Sequence, residues 1–187
     1  MTRLPSPADI IAFWRAAGPD RWFKSDPAFD REVREALLPA LEDAVARGAG
    51  EMPLADYEAT AEGSLALVLV LDQVPRNVFR GTPRAFATDA AARLVADRAC
   101  AVGFDQKVEP LLRGFLYLPG MHAEDLPAQE RAVTLYEALG DAEQLRYAII
   151  HRDIIARFGR FPHRNPILGR TMTAEEAQFL AEGGFAG

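Results

Sequence analysis

The sequence predicts an all-α protein built from successive antiparallel helix pairs, and three observations support this prediction. Helix-capping patterns recur at Ser6-Pro7-Ala8-Asp9, Asp26-Pro27 and Thr173-Ala174-Glu175-Glu176. Apolar residues follow these caps at spacings of three and four, which is the period of a helix with one buried face. The longest apolar run, residues 65–71, has no second run that could pair with it as a strand.

Two N-terminal helices are predicted from their caps. The first begins at Pro7, runs through Trp14 and ends near Gly18. The second begins at Asp26-Pro27, and its apolar stripe consists of Phe29, Val33, Ala36, Leu37, Ala40, Leu41 and Ala44. Pro39 lies inside this stripe, and because proline has no amide hydrogen we expect a kink or a break there.

The central helices are predicted from apolar content and from proline positions. Residues 65–71 are expected to form a helix that is buried on all sides, beginning near Glu62 and stopped by Pro75. Thr88-Asp89 is expected to cap the next helix, whose apolar face consists of Ala92, Val95, Ala96, Ala99 and Val102. A further helix is expected over residues 106–116.

Three helices are predicted in the C-terminal part. The first covers residues 127–139, with an inward face made of Ala128, Ala132, Leu135 and Leu139. Asp141 caps the second, which reaches Phe158 and stops at Gly159. The third begins at Thr173. No linker divides the chain, so a single domain over residues 1–187 is expected.

Composition narrows the possible functions. The formal charge of −6 and the isoelectric point near 5.1 argue against a nucleic-acid binder. No apolar run approaches the roughly 20 residues that a membrane span needs, and the lone Cys100 excludes an internal disulfide. We therefore expect a cytoplasmic protein that does not contact a membrane. The three histidines are not at ligand-like spacing, so neither a metal nor a cofactor is predicted.

The stretch 71–84 is the first candidate for function. Asp72 and Gln73 directly follow the most apolar run, so they are expected to be buried, and a buried carboxylate needs a partner. Arg76, Arg80 and Arg84 are available for this pairing. The stretch predicts either a structural ion pair or a ligand site, for which the candidate residues are Asp72, Arg76, Asn77 and Arg80.

Two further stretches contain histidines. His122 and Glu124 lie in a loop that enters a helix, and a His-x-Glu pair occurs in several metal and acid–base sites. His151 lies in an apolar helix, where a polar ring needs a hydrogen-bond partner. His122, Glu124 and His151 are further candidate ligand-binding residues. Asp153 and Arg157 are four residues apart in that helix and are expected to pair.

Positive charge concentrates at residues 157–170 in an otherwise acidic chain. Gly159 turns the chain, Pro162 and Pro166 stiffen it, and the phenylalanines at 158 and 161 are expected to anchor it to the core. The candidate ligand-binding residues of this stretch are Arg157, Arg160, His163, Arg164 and Asn165. Arginines held in a rigid loop favour recognition of a carboxylate or phosphate.

Three motifs, LDQVPRNVFRG, FLYLPGMHAED and HRDIIARFGRFPHRN, resemble in order and spacing a widespread bacterial family known only as domain of unknown function 924. The resemblance covers essentially the whole chain. It implies a tetratricopeptide-like α-α superhelix of stacked helix pairs, and it implies no activity. The sequence departs from the family pattern at Val74 and around 120–123.

Three functional interpretations remain open. The first is a helical-repeat-like binding or scaffold domain whose Arg, His and Asn side chains line a groove for an anionic small molecule or peptide. The second is a small hydrolase or transferase in which a histidine acts as general base and Glu124 or Asp153 orients it. The third is a purely structural polar network that joins the helices. The sequence does not decide whether the protein is an enzyme.

Overall fold

The computed structural model describes residues 5–186, and helix is the regular structure throughout this range, apart from one isolated bridge between Ala49 and Met52. The all-α prediction is confirmed. The α-helices are α1 Pro7–Ala17, α2 Pro19–Trp22, α3 Pro27–Ala46, α4 Ala55–Glu58, α5 Ala61–Val68, α6 Val74–Val78, α7 Asp89–Ala101, α8 Pro110–Arg113, α9 Leu118–Met121, α10 Leu126–Leu139, α11 Ala142–Phe158 and α12 Ala174–Ala181. Short 3₁₀ helices lie at Pro83–Phe86, Asp105–Lys107, Gly114–Leu116 and Pro162–Arg164.

The backbone forms two compact units. The first unit contains the residues up to Arg80 together with Arg84–Pro119, and the second contains Gly81–Pro83 and the residues from Gly120 onward. The expectation of one domain over residues 1–187 remains a prediction. No helix within residues 5–186 is long and apolar enough to cross a membrane.

Local capping chemistry fixes the ends of several helices as expected. Ser6 and Asp9 form a complete capping box at the start of α1, and Asp26 caps α3 by accepting from the Ala28 amide. α3 nevertheless runs through Pro39 without the break that the sequence suggested. Pro39 is exposed, so its ring points away from the core. The apolar face of α3 is buried as predicted, except that Ala36 is only partly buried.

The apolar run 65–71 is helical and buried, but the prediction that Pro75 stops it was wrong. α5 passes into a π-helical segment, Leu69–Gln73, and α6 follows directly, with Pro75 in its first turn. The amide of Val74 donates to the carbonyl of Leu69, five residues earlier. Proline is tolerated in the first turn of a helix, so the chain continues to Val78.

Other helix predictions need correction. Residues 106–116 do not form one helix, because Val108 is extended and Pro110 starts the new helix α8. Thr88 precedes α7 without capping it through its side chain, and Val102 is 63% exposed rather than buried. In α10 the buried residues are Ala128, Gln129, Ala132 and Tyr136, whereas Leu135 and Leu139 are only partly buried.

The core of the second unit supports the basic stretch 157–170. α10 packs against α11, and Asp141 and Gly159 cap the two ends of α11 as predicted. A buried apolar cluster contains Ile154, Ile155 and Phe161, and Phe158 packs against it. Both phenylalanines of the basic stretch therefore anchor it, as the sequence indicated.

Candidate functional site

The π-helical segment in the first unit exposes three successive backbone carbonyls to side-chain donors. The Thr88 hydroxyl donates to the carbonyl of Leu71 at 2.5 Å. The Arg76 Nη1 donates to the carbonyl of Asp72 at 2.7 Å, and the Asn77 amide donates to the carbonyl of Gln73 at 2.9 Å. The last of these bonds holds the Asn77 side chain at the end of the turn.

Asp72 is fully buried and is paired as the sequence predicted. One of its carboxylate oxygens lies 3.2 Å from the Arg76 guanidinium, and the other accepts from the Gln73 amide at 2.7 Å. Arg76 also makes two hydrogen bonds, of 2.8 and 3.0 Å, to Asp89. Asp72 and Arg76 therefore belong to a structural ion network that joins the π-helical turn to α7.

A shallow, open depression of about 330 Å³ lies beside this turn, between the start of α3 and the end of α6. We call it the α3–α6 groove, and its lining residues are Pro27, Asp30, Arg31, Arg34, Asn77, Val78 and Arg80. Two of the candidates named from the sequence, Asn77 and Arg80, lie in it. The groove has three guanidinium groups and one carboxylate, so its net charge is positive.

The three arginines of the groove differ in how much of their hydrogen-bonding capacity is used. Arg80 donates from Nε and Nη2 to the two carboxylate oxygens of Asp30, at 3.0 and 2.8 Å, and these bonds raise the pKa of Arg80. Arg34 donates from Nη2 to the carbonyl of Val78 and lies near the ring of Phe79. Arg31 is exposed and donates no hydrogen bond within the described part of the chain. The groove therefore retains free N–H donors.

The sequence patterns did not single out Arg31 and Arg34 as site residues. They are three residues apart on α3 and thus share one face of the helix. That spacing was the available signal, but it indicates only a basic helix surface. Their proximity to Asn77 and Arg80 depends on the packing of α3 against α6.

In the second unit, two arginines of the basic stretch are bound to α12. Arg157 donates to Glu175 at 2.9 Å, and Arg160 makes bonds of 2.6 and 2.8 Å to Glu176. Glu176 is buried, and hydrogen bonding from Arg160 lowers its pKa to about 2. The predicted Asp153–Arg157 pair was wrong, because Asp153 pairs with Arg152 instead.

Glu124 joins the loop before α10 to the basic stretch. It accepts from the Phe161 amide at 2.8 Å and from two nitrogens of Arg170, at 2.6 and 2.9 Å. Burial would raise the pKa of Glu124, but hydrogen bonds from Arg170 and the Phe161 amide lower it overall. Both carboxylates that the acid–base interpretation assigned to a histidine, Glu124 and Asp153, are thus engaged by arginine.

The remaining candidates of the second unit pack around aromatic rings. Arg164 is buried with its guanidinium 4.5 Å from the centre of the Phe161 ring. Asn165 is fully buried, and its amide lies 3.4 Å from the sulfur of Met172. Both side chains are therefore buried in the second unit and do not line an open surface for a ligand.

The three histidines lie near one another in the second unit. The rings of His122 and His151 are 6.3 Å apart, and His151 and His163 each pack on the ring of Phe185, at 4.6 and 5.6 Å. Nδ1 of His151 lies 2.8 Å from the Tyr147 carbonyl, so it carries the proton and donates it. Burial lowers the pKa of His151 to about 3 and that of His163 to about 4.

Metal-binding and thiol chemistry receive little support from the geometry. Within residues 5–186, no three His, Cys, Asp or Glu side chains are grouped so that they could hold a metal ion. The absence of metal and cofactor remains a prediction. Cys100 is half-buried, and burial raises the pKa of its thiol to about 12, so the thiolate is not formed at neutral pH.

Comparison with known proteins identifies one family. The model of a family of bacterial proteins of unknown function, DUF924, matches residues 10–184. A solved structure of a protein of unknown function from Agrobacterium tumefaciens is 50% identical, with a TM-score of 0.88, and the alignment covers 95% of this chain and 97% of that one. No curated protein shows significant similarity to the chain.

Proposed function

The chain belongs to the DUF924 family of bacterial proteins, and we propose that it is a binding domain that holds a small anionic ligand in the α3–α6 groove. The observation that carries this proposal is the grouping of Arg31, Arg34 and Arg80 around one depression of a protein whose formal charge is −6. Guanidinium groups are well suited to carboxylates and phosphates because they donate two parallel hydrogen bonds.

The charge distribution of the groove supports binding of an anion. Asp30 is the only acid among its lining residues, and both of its oxygens accept from Arg80. Arg31 and Arg34 add two positive charges that no carboxylate of the lining neutralises. Positive charges collected in a concave surface focus the potential and attract anions.

The structure also supports ordered positions for two of the lining side chains. Asn77 is buried and is held by the Gln73 carbonyl, and Arg34 is held by the Val78 carbonyl. Side chains that are already ordered lose little entropy when a ligand binds, so more of the interaction energy appears as affinity.

The basic stretch 157–170 is assigned a different role in this proposal. Arg157, Arg160 and Arg170 each pair with a glutamate, and these pairs hold the stretch to α12 and to the loop before α10. We infer that they stabilise the second unit, which is the structural-network interpretation applied to this part of the chain. The tetratricopeptide-like stacking of helix pairs and the cytoplasmic location are retained as parts of the proposal.

The test is a titration of citrate, sulfate and phosphate followed by calorimetry, with chloride at matched ionic strength as the reference. Arg31→Gln is expected to weaken binding of the multivalent anions about tenfold, because a charge-assisted hydrogen bond contributes about 1.5–3 kcal/mol. The control is Arg131→Gln, which removes another exposed helical arginine. Equal affinities of the two variants, or no binding to the unmodified protein, would refute the groove as an anion site.

A further inference from the structure

We propose that the ligand of the α3–α6 groove is a phosphate monoester of a small polyol. This inference rests on the function proposed above and narrows its ligand to one chemical class. It depends on the number of donors, the charge and the lining of the groove.

The donors of the groove match a tetrahedral dianion. Within residues 5–186, the Nη1 of Arg80 makes no bond to Asp30, Nε and Nη1 of Arg34 donate no hydrogen bond, and neither does the guanidinium of Arg31. Three guanidinium groups with N–H donors to spare therefore border one depression. A phosphate monoester presents three terminal oxygens as strong acceptors, whereas a single carboxylate presents two.

The charge of the groove matches the same group. The pair between Asp30 and Arg80 leaves Arg31 and Arg34 as the excess positive charge of the lining. A phosphate monoester carries nearly two negative charges at pH 7, because its second pKa is about 6. A dianion would therefore neutralise the groove.

The remaining lining residues of the groove suit a short carbon chain that carries hydroxyl groups. Pro27 and Val78 provide apolar surface, and Asn77 provides an amide whose oxygen can accept from a hydroxyl group. A volume of about 330 Å³ is at the lower end of the range for small-molecule sites, roughly 300–1,000 Å³. These features favour a ligand with a few carbon atoms and at least one hydroxyl.

Calorimetry with glycerol 3-phosphate, inorganic phosphate, succinate and sulfate tests the inference. Glycerol 3-phosphate is expected to bind most tightly, and Arg31→Gln and Arg34→Gln are each expected to weaken its binding about tenfold. Arg131→Gln is the matched control. Lowering the pH from 7.5 to 5.0 should reduce the affinity for glycerol 3-phosphate about tenfold, because its second pKa of about 6 makes it mostly a monoanion at pH 5.0. Sulfate remains a dianion at both values, so its affinity should not change.

The possible outcomes separate this inference from the proposed function. If succinate binds in a manner that depends on Arg31 while glycerol 3-phosphate does not bind, the ligand class is wrong and the anion site stands. If inorganic phosphate binds as tightly as glycerol 3-phosphate, the polyol part is wrong. If sulfate and glycerol 3-phosphate lose affinity equally at pH 5.0, selection for the dianion is refuted. If none of the four binds, both proposals fail.

Discussion

The hydroxyl of Thr88 donates a 2.5 Å hydrogen bond to the carbonyl oxygen of Leu71, four residues before Pro75. In a regular helix the amide of residue 75 would bond to this carbonyl, but proline has no amide hydrogen. Leu71 is fully buried, so water cannot take the place of the missing donor. The Thr88 hydroxyl therefore supplies this buried carbonyl with a donor where the π-helical turn passes into α6.

Thr88→Val is expected to lower the free energy of unfolding by about 1–3 kcal/mol, because it leaves a buried acceptor without its donor while preserving the shape of the side chain. The control is Thr134→Val, since the Thr134 hydroxyl bonds to the Glu130 carbonyl on an exposed helix surface. Urea unfolding of both variants checks the expectation. Equal stabilities would show that the hydroxyl of Thr88 does not satisfy Leu71 in solution.

Gly63 is expected to tolerate no side chain. A Cβ at this position would lie 2.0 Å from the carbonyl oxygen of Tyr57, so Gly63→Ala must displace backbone at the start of α5. A Cβ at Gly120 would meet the methyl group of Ala132 at 3.4 Å, which is close to ordinary contact. Thermal unfolding should show a clear loss of stability for Gly63→Ala and a much smaller change for Gly120→Ala. The reverse order would contradict the packing of α5.

Glu176 and Glu175 are neighbours in the first turn of α12 and differ sharply in burial. Glu176 binds Arg160 and the Thr173 amide in a buried position, whereas the side chain of Glu175 is 62% exposed. Glu176→Gln is expected to destabilise the protein more than Glu175→Gln, because Glu176 is the buried acceptor of both Arg160 and the Thr173 amide, whereas the exposed pair of Glu175 contributes less than about 1 kcal/mol. Chemical denaturation of the two variants measures the difference. Similar costs would refute Arg160 as a structural residue.

Acid should destabilise the protein before its carboxylates titrate. Burial lowers the pKa of His151 to about 3 and that of His163 to about 4, whereas both are near 6.5 in the unfolded chain. Below pH 6.5 the unfolded state therefore binds more protons than the folded state. The free energy of unfolding is expected to fall as the pH is lowered from 6.5 to 5, with a slope that approaches about 1.4 kcal/mol per pH unit for the buried His151 and is smaller for the partly exposed His163.

The variant His151→Asn tests the contribution of His151 to this pH dependence. Asparagine can retain an N–H donor toward the Tyr147 carbonyl but does not titrate. Urea unfolding at several pH values gives the slope of the free energy of unfolding against pH. In the variant this slope should correspond to about one proton fewer taken up on unfolding. An unchanged slope would show that His151 is already exposed to solvent in the folded protein.

The sequence predicted those features that depend on neighbouring residues. The capping residues Ser6, Asp141 and Thr173 bond to amides two or three positions along the chain, so their patterns were sufficient. The burial of Asp72 followed from its place after an apolar run. The prediction that Pro75 stops the helix was wrong because it rested on the local effect of proline alone. That effect does not take into account a π-helical turn or a donor supplied by Thr88 from outside the helix.

The groove could not be predicted because its residues come from distant parts of the chain. Arg31 and Arg34 lie on α3 and Asn77 and Arg80 at the end of α6, and only tertiary packing brings them together. The same limit explains why residues 157–170 looked like an anion site. The glutamates that bind Arg160 and Arg170 lie 16 and 46 residues away.

The location of a bound heavy anion tests the anion-binding proposal most directly. A crystal of the protein soaked in tungstate, a tetrahedral dianion, would reveal the anion by its anomalous scattering. The proposal predicts a peak within hydrogen-bond distance of Arg31, Arg34 and Arg80, which should vanish in crystals of Arg31→Gln. A peak beside Arg164 with none in the α3–α6 groove would contradict the proposal that the groove is the anion site.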